Sequence, residues 1–570
     1  MSTNLTEIHE AVSVSGSETR AAQRELRFVN SLPLLWALLC VIAATGLIAR
    51  TYSVLSQSYD EGAHLACGME WLDRGTYSFE PLHPPLARVA TAFFPYLHGL
   101  RRQGIDQSFW AEGNEILEHN GEYQKNLTLA RLGILPFFWL TCFLVWRFMA
   151  KQFSRPHAAI AVFFVAFCPV VLAHSGMATT DAPLMAMFLW SLAALDSLLD
   201  KPTWSTAAVA GLAIALASLT KFTELPFLAC SGGLLLLYNC MSKKRFPVPW
   251  RPLLLTAIVF ALTIWAAYRF SHGPVIEPSR LAADRVEKFA NLPSWKKDIL
   301  LFRYVPANEF FLGFKESWFQ GRIGRQDSYL LGQVYNGGRW DFFPVALLVK
   351  TQIPMLLFSI AGTAWIFLSR ELRWSRQSVF LIAGALGPLA IGMAGTMNIG
   401  LRHILPIYPF LAMLSAVAVV NLWQLSVAPS VTIAARVAVV LLLVWSVVSC
   451  WRAAPDFIAY FNEPAAPYAS AILVESDLDW GQDLKRLRTD LEQLHVQDVW
   501  ISYFGSASLR KELPQARHVL EANDRPAGWV AISEAKLRKD PKSYGWLFPY
   551  PYTRVGSSIR LYHFATAPTT

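Results

Sequence analysis

The sequence is poor in charged residues and has no pattern of paired cysteines. Asp, Glu, Lys and Arg make up 16% of its 570 residues, against about 25% in an ordinary soluble domain. Its seven cysteines form no C-x-x-C motif and lie mostly inside apolar runs, so the sequence predicts neither a disulfide framework nor a zinc site. No small-residue cleavage site follows the first apolar run, and that run therefore reads as a retained span. With so few charged residues, we expect soluble structure only in the loops and tails of the chain.

Long apolar runs take the place of these features. Hydrophobic residues make up 54% of the chain and gather in runs of about 20, the length that crosses a bilayer as a helix. The sequence predicts a polytopic α-helical membrane protein with about eleven transmembrane helices. The predicted spans are 32–51, 128–150, 157–174, 181–199, 205–220, 223–241, 252–270, 342–368, 377–396, 404–425 and 431–450.

The basic residues indicate orientation rather than nucleic-acid binding. The net charge of +9 is spread over the loops between spans and marks no single face. Among the short loops between spans, those at one end of the helices hold most of the cations, and the positive-inside rule predicts that this end is cytoplasmic. The cations concerned are Lys151, Arg155, Lys201, Lys243, Lys244, Arg245, Arg370, Arg373 and Arg376. The chain is accordingly predicted to be a multi-pass protein of the plasma (inner) membrane.

This orientation predicts three domains and gathers the larger polar segments outside. The domains are a cytoplasmic N-terminal tail at 1–31, a membrane domain at 32–451 with external loops near 52–127 and 271–341, and an extracytoplasmic tail at 452–570. In the tail, "DVWISYF", "GWVAISEA" and "SSIRLYHF" have the pattern of strands and "DLKRLRTDLEQL" has helical spacing. A small α/β domain is predicted there. Its acids Asp477, Asp479 and Asp483 lack the spacing of a calcium loop, and a helix start near 482 explains them better.

The stretch "YDEGAH" places two acids and a histidine just after the first span. If the segment is helical, Asp60, Glu61 and His64 share a face. A carboxylate at the membrane interface can act as general base on an acceptor hydroxyl. The alternative is that Asp60 caps a helix and Glu61 completes its first turn.

Two further motifs fall on the same predicted outer face. In "LHPPLARV", His83 precedes a proline pair that forces an extended approach and then starts a helix with Arg88; a structural turn is the simpler interpretation. In "TTDAPL", Asp181 stands at the mouth of a span, where a helix-start carboxylate is common. Its position on the face of Asp60 favours a role in a site.

Three residues at the outer ends of spans complete the candidate set. Lys221 lies between two apolar runs, and Arg402 and His403 begin another. A cation at membrane depth costs about 2.5–3.5 kcal/mol, which a phosphate group at the interface would offset by charge-assisted hydrogen bonds. The alternative is that these side chains only reach out to lipid headgroups.

Together these residues suggest an enzyme that uses a lipid-linked phosphosugar. A carboxylate would deprotonate the acceptor while cations stabilise the departing lipid phosphate. One rival is a transporter or flippase of lipid-linked sugars, although the chain lacks an inverted repeat and places its large loops on one face. Another is an assembly scaffold that uses the tail as a binding module.

The same motifs resemble those of the GT-C superfamily of membrane glycosyltransferases. "DEGAHL", "HPPLAR", "TTDAPL", "LTKFT" and "GLRHILPIYPFL" are similar, in this order, to elements of the bacterial protein O-mannosyltransferase and aminoarabinose-transferase group, glycosyltransferase family 39. The similarity covers about residues 32–450. "ESDLDWGQDLKRL" resembles a tail found in bacterial members.

The resemblance implies an inverting transfer from a polyprenyl-phosphate sugar to an acceptor hydroxyl on the extracytoplasmic face. Asp60 would be the catalytic base, Glu61 its neighbour and Asp181 a second acidic site residue. We assign Lys221, Arg402, His403 and Arg88 to the donor phosphate and place His64 and His83 in the site. No cofactor is predicted, and a divalent metal has no clustered ligand set to support it. The loop at 271–341 is too short for the sugar-binding domain of eukaryotic relatives, so the acceptor stays open.

Overall fold

The computed structural model describes residues 31–243, 248–275, 293–297 and 304–568. Nearly all of the predicted N-terminal tail, Lys244 and Arg245, and two parts of the second external loop lie outside these ranges.

The described part of the chain contains many helices that could cross a membrane. Eight are long and apolar enough, and two bent pairs raise the number to ten. The eight are Ser31–Tyr52, Tyr123–Gln152, Asp181–Asp200, Glu224–Ser242, Trp250–Ala267, Arg376–Ala394, Leu401–Gln424 and Pro429–Ala453, and the pairs are Arg155–Ala166 with Pro169–Ser175 and Phe342–Lys350 with Ile353–Leu368. The polytopic α-helical fold is confirmed.

The predicted number of eleven spans differs from this result at one helix. Trp204–Ser218 coincides with the predicted span 205–220 but has only 15 residues, fewer than the roughly 20 that a straight span needs. The bent pairs turn by 66° and 116°. Prolines cause both breaks, since Pro169 and Pro354 each stand in the first turn of a new helix, where the missing amide costs least.

The first external loop folds into three helices that lie against the membrane bundle. They are Glu61–Asp73, Pro85–Leu97 and Phe109–Glu118. Pro84 is extended and Pro85 opens the second helix, as the proline pair predicts. Gly68 allows the first two helices to cross closely, because a Cβ there would lie 1.9 Å from the carbonyl oxygen of Arg88.

The second external loop is shorter, and its described residues contain one long helix. The helix Asn308–Ile323 follows the antiparallel pair His272–Gly273 and Val305–Pro306 and the short helix Ser294–Lys297. A hairpin of Ser328–Leu330 and Gln333–Tyr335 leads back to the bundle.

The tail has two parts that pack in different places. Residues from Phe457 to Trp480 belong to the same hydrophobic core as the membrane helices. From Leu484 onward a separate core forms between a helix, Leu484–Gln493, and a mixed sheet. In the sheet, His518–Val519, Val499–Ser502 and Gly528–Ser533 are parallel neighbours, and Ile559–Phe564 and Thr553–Val555 continue it antiparallel. Three short helices complete this part, at Leu509–Glu512, Glu534–Lys539 and Pro541–Tyr544.

Three of these strands and the helix lie where the sequence pattern predicts them, and the helix begins directly after Asp483. The strands His518–Val519 and Thr553–Val555 are too short to show alternation. The α/β character of the tail therefore follows from local pattern, whereas the packing of residues 457–480 among the membrane helices does not.

Candidate active site

A cavity of about 410 Å³ opens where the two external loops, the helix ends and the tail meet. Each of these regions supplies part of its wall. The lining residues include Tyr59, Asp60, Leu82, His83, Lys221, Phe222, Arg325, Arg402, His403, Glu475, Trp480 and Phe504. Charged, aromatic and apolar side chains thus share one enclosed space.

Asp60 directs its carboxylate into this cavity. It stands immediately before the helix Glu61–Asp73, yet its side chain makes no capping hydrogen bond. Its Oδ2 instead lies 3.0 Å from Nη1 of Arg402, and 27% of the side chain is exposed. The structure therefore does not realise the alternative in which Asp60 serves as a helix cap.

Asp181 lies behind the cavity and joins two cations. It is the first residue of the helix Asp181–Asp200 and is fully buried. Nζ of Lys221 is 2.8 Å from its Oδ1, and Nη1 of Arg402 is 3.3 Å from its Oδ2. A buried carboxylate needs such partners, because an unpaired charge would cost several kcal/mol. Asp181 thus fixes the positions of the cations without lining the cavity.

Lys221, Arg402 and His403 line the cavity. Lys221 lies in the turn before the helix that starts at Glu224, and Arg402 and His403 lie in the 3₁₀ segment Leu401–Ile407. Among the described residues, neither Nε of Arg402 nor Nε2 of His403 has a hydrogen-bond partner. Buried polar atoms are rarely left unpaired in native proteins, so these two nitrogens stand out beside the cavity that their residues line.

Glu61 faces away from the cavity and holds the loop to the bundle. Its carboxylate accepts two hydrogen bonds from Arg131, at 2.8 and 2.9 Å, and further bonds from the amides of Ser58 and Ala178. Burial alone would raise the pKa of Glu61, but the charge and hydrogen bonds of Arg131 outweigh it and keep the pKa below its usual value. Because Ala178 precedes Asp181 by three residues, Glu61 ties together the segments that hold both aspartates.

His64 and Arg88 lie beside the cavity, next to His83. His83 lines the cavity, and burial followed by the charge of Lys221 lowers its pKa to about 4. His64 is buried behind it and accepts a hydrogen bond at Nδ1 from Nε of Arg88, at 3.2 Å. Arg88 is 1% exposed and forms an ion pair with Glu80. The structure does not bring Arg88 to the cavity, and its contacts anchor the loop that presents His83.

Several cavity residues were not singled out from the sequence. Tyr59 and Phe504 stack with ring centroids 5.5 Å apart, and Glu475 pairs with Arg325 at 2.8 Å. Tyr59 adjoins the acidic motif, but the others come from segments distant in sequence. No periodic pattern in the sequence marks these residues. The motif "ESDLDW" of the tail, which begins at Glu475, was the one sequence signal near them.

Among the described residues, no group of three or more His, Cys, Asp or Glu could hold a metal ion. The charged and ionisable side chains that line the cavity are the carboxylates of Asp60 and Glu475, the cations Lys221, Arg325 and Arg402, and the imidazoles of His83 and His403.

Comparison with known proteins gives a partial family match and a similar fold. Residues 124–267 match the family described as dolichyl-phosphate-mannose-protein mannosyltransferase. No curated protein matches the chain.

Three solved structures are similar to the chain at low identity. The S. cerevisiae protein O-mannosyltransferase Pmt1-Pmt2 complex bound to the sugar donor has 11% identity and a TM-score of 0.51, over 78% of this chain and 94% of that chain. ArnT from Cupriavidus metallidurans bound to undecaprenyl phosphate has 15% identity and a TM-score of 0.49, over 94% and 99%. The oligosaccharyltransferase AglB from Archaeoglobus fulgidus, in complex with an inhibitory peptide and a dolichol-phosphate, has 11% and 0.44, over 92% and 74%. The likeness to the Pmt1-Pmt2 complex indicates a similar fold, and the family match covers residues 124–267.

Proposed function

We propose that this protein is a membrane glycosyltransferase of the GT-C superfamily that moves a monosaccharide from a polyprenyl-phosphate carrier to an acceptor hydroxyl, with inversion, at the extracytoplasmic face of the inner membrane. One observation carries the proposal: the carboxylate of Asp60 and the cations Lys221 and Arg402 line the same cavity. The description of the matching family, which names a dolichyl-phosphate sugar, supports a donor of this class.

Asp60 is the proposed general base. A carboxylate can accept the proton of an acceptor hydroxyl, and the partly exposed side chain of Asp60 lines the cavity in which an acceptor would bind. As the proton passes to Asp60, the acceptor oxygen bonds to the anomeric carbon. The bond from that carbon to the phosphate oxygen breaks, and its electron pair leaves with the lipid phosphate. A single displacement of this kind inverts the anomeric centre.

Lys221, Arg402 and His403 are proposed to receive the leaving phosphate. In the described part of the chain, Lys221 gives Asp181 one of its three ammonium donors, and Nε of Arg402 has no partner. These donors can stabilise the negative charge that grows on the phosphate in the transition state, and such preorganised groups are commonly a large catalytic contribution. Glu61, Asp181, His64 and Arg88 are proposed to hold these groups in place.

The cavity wall also suits a donor with a lipid tail. Leu82, Phe222, Met397 and Ile399 line it beside the charged groups, so one ligand can meet both apolar and ionic surfaces. The proposed acceptor is a hydroxyl of a protein, a lipid or a glycan.

The test is transfer by the purified full chain in lipid vesicles. Polyprenyl-phosphate sugars are supplied with cell-envelope acceptors, and mass spectrometry follows which sugar leaves the carrier and where it reappears. We expect Asp60→Asn to lower turnover by about 10²- to 10⁴-fold while the donor still binds. A chain that only moves intact lipid-linked sugar across the bilayer, unaffected by Asp60→Asn, would show that it is a flippase instead.

A further inference from the structure

The tail contributes a wall of the cavity directly beside Arg402. Ser476 packs so closely on Gly400 that a Cβ at position 400 would lie 2.2 Å from the Ser476 hydroxyl oxygen. The amide of Leu401 donates to the carboxylate of Asp477, at 3.1 and 3.3 Å. Contacts with the tail therefore fix Gly400 and Leu401, the two residues that directly precede Arg402.

Trp480 covers one face of the Arg402 guanidinium. The Cζ of Arg402 lies 4.2 Å from the centre of the indole ring, and the two residues are 8% and 3% exposed. A cation over an aromatic face is attracted most strongly when both groups are removed from water. With one face covered, the in-plane N–H groups of Arg402 are the ones left to contact carboxylates or a ligand.

The same residue also contacts the segment of Asp60 through its backbone. The amide of Tyr59 donates to the carbonyl oxygen of Trp480 at 2.9 Å, and the amide of Ser56 donates to that of Gln482 at the same distance. Trp480 thus contacts Arg402 with its side chain and the residue before Asp60 with its backbone.

The indole itself has little freedom to move. The Trp480 amide donates to Oε1 of Gln482 at 2.7 Å, and Nε2 of Gln482 donates to the carbonyl of Leu478 at 2.9 Å. His174 meets the indole edge-on, with ring centroids 6.0 Å apart. Such fixed neighbours let a side chain hold another in one orientation.

We propose that Trp480 is a positioning residue that orients Arg402 toward the lipid phosphate, so that the tail completes the donor site. The inference rests on the proposed function, because the ligand is the phosphate of the proposed donor. It gives the tail a role in the reaction: if the indole is absent, the guanidinium that already contacts Asp60 and Asp181 loses the contact that fixes its plane, and its hold on the phosphate weakens.

The experiment measures the Kd of undecaprenyl phosphate for the full chain in nanodiscs. We expect Trp480→Leu to raise Kd about tenfold, whereas Trp480→Phe, which keeps an aromatic face, stays within about threefold of wild type. In an Arg402→Gln background, Trp480→Leu should change Kd by less than about twofold, because the group that it orients is gone.

Trp500→Leu is the matched control, since Trp500 stacks on His518 in the sheet, 4.4 Å away and outside the cavity; its Kd should equal that of wild type. If Trp480→Leu does not accumulate as folded protein, Trp480→Met replaces it. Equal Kd values for wild type and the Trp480 variants, or an undiminished effect in the Arg402→Gln background, would overturn the positioning role alone. A wild-type chain that binds no undecaprenyl phosphate would instead overturn the proposed donor and, with it, this inference.

Discussion

At the scale of single residues, the cavity alternates negative and positive groups from remote parts of the sequence. Asp60, Arg402, Asp181 and Lys221 form one continuous series of ion pairs. Two charges of each sign make the series formally neutral, which lets it persist at low exposure. A phosphate that enters the cavity would share Arg402 and Lys221 with the aspartates.

This sharing leads to a prediction for Lys221. We expect Lys221→Ala to lower kcat/KM for the donor by roughly 10- to 100-fold, as the loss of one charge-assisted hydrogen bond requires. Steady-state kinetics with varied donor would measure the change. The Lys221→Ala/Asp181→Asn double variant removes both members of the ion pair, and we expect it to show the same loss of kcat/KM. That result would show that the loss comes from weaker phosphate binding and not from an Asp181 carboxylate left without its partner. Lys201→Ala, at the opposite end of the bundle, is the control; a kcat/KM in Lys221→Ala equal to that of the control would remove Lys221 from the site.

At the scale of elements, the helix that follows Asp60 is held by a buried ion pair. Glu61 and Arg131 are each 1% exposed, and Arg131 also donates to the carbonyl oxygens of Leu55 and Ser56. The pair therefore joins the first external loop to the long helix Tyr123–Gln152. It places Asp60 by controlling where its helix begins.

We expect Glu61→Gln to destabilise the chain by about 3–5 kcal/mol, since it leaves Arg131 buried without its counter-charge. Thermal unfolding in detergent would measure the change. The Glu61→Gln/Arg131→Gln double variant should lose less than the sum of the single losses. As a control, Glu115→Gln breaks an exposed pair with Lys511 and should cost at most about 1 kcal/mol. If the two losses simply add, the pair does not couple the loop to the bundle.

At the scale of the whole molecule, the cavity gathers segments that the predicted topology places on one side. At the other end, Arg376 contacts Asp196 at 2.9 Å and Asp200 at 2.6 Å, so the helix ends that the positive-inside rule assigns to the cytoplasm do lie together. The side of the membrane that each end faces stays a prediction.

We expect a cysteine introduced at Glu521, exposed in the tail, to react with a membrane-impermeant maleimide in intact cells. A cysteine at Lys201, exposed at the opposite end, should react only after the membrane is opened, because the positive-inside rule places it in the cytoplasm. Gel-shift labelling with the wild-type chain as background would measure both. Labelling of position 201 alone in intact cells would reverse the orientation and place the cavity in the cytoplasm.

Much of the fold could be predicted because hydropathy and side-chain alternation are local properties of the chain. All eleven predicted spans fall on helices or bent pairs. The short helix Trp204–Ser218 shows that an apolar run can be mistaken for a full membrane span although its helix is too short. The candidates Asp60, Lys221 and Arg402 could be chosen because a charge beside an apolar run is costly unless it is paired.

What each charge is paired with depended on tertiary structure. Asp60 and Glu61 are adjacent and look equivalent in sequence, yet one faces the cavity and the other binds Arg131, since consecutive helical positions point in different directions. In the sequence Arg88 looks like a phosphate ligand, but in the structure its guanidinium forms an ion pair with Glu80. Trp480 meets Arg402 across 78 positions of chain, and such contacts come from packing between distant segments, which no spacing along the sequence encodes.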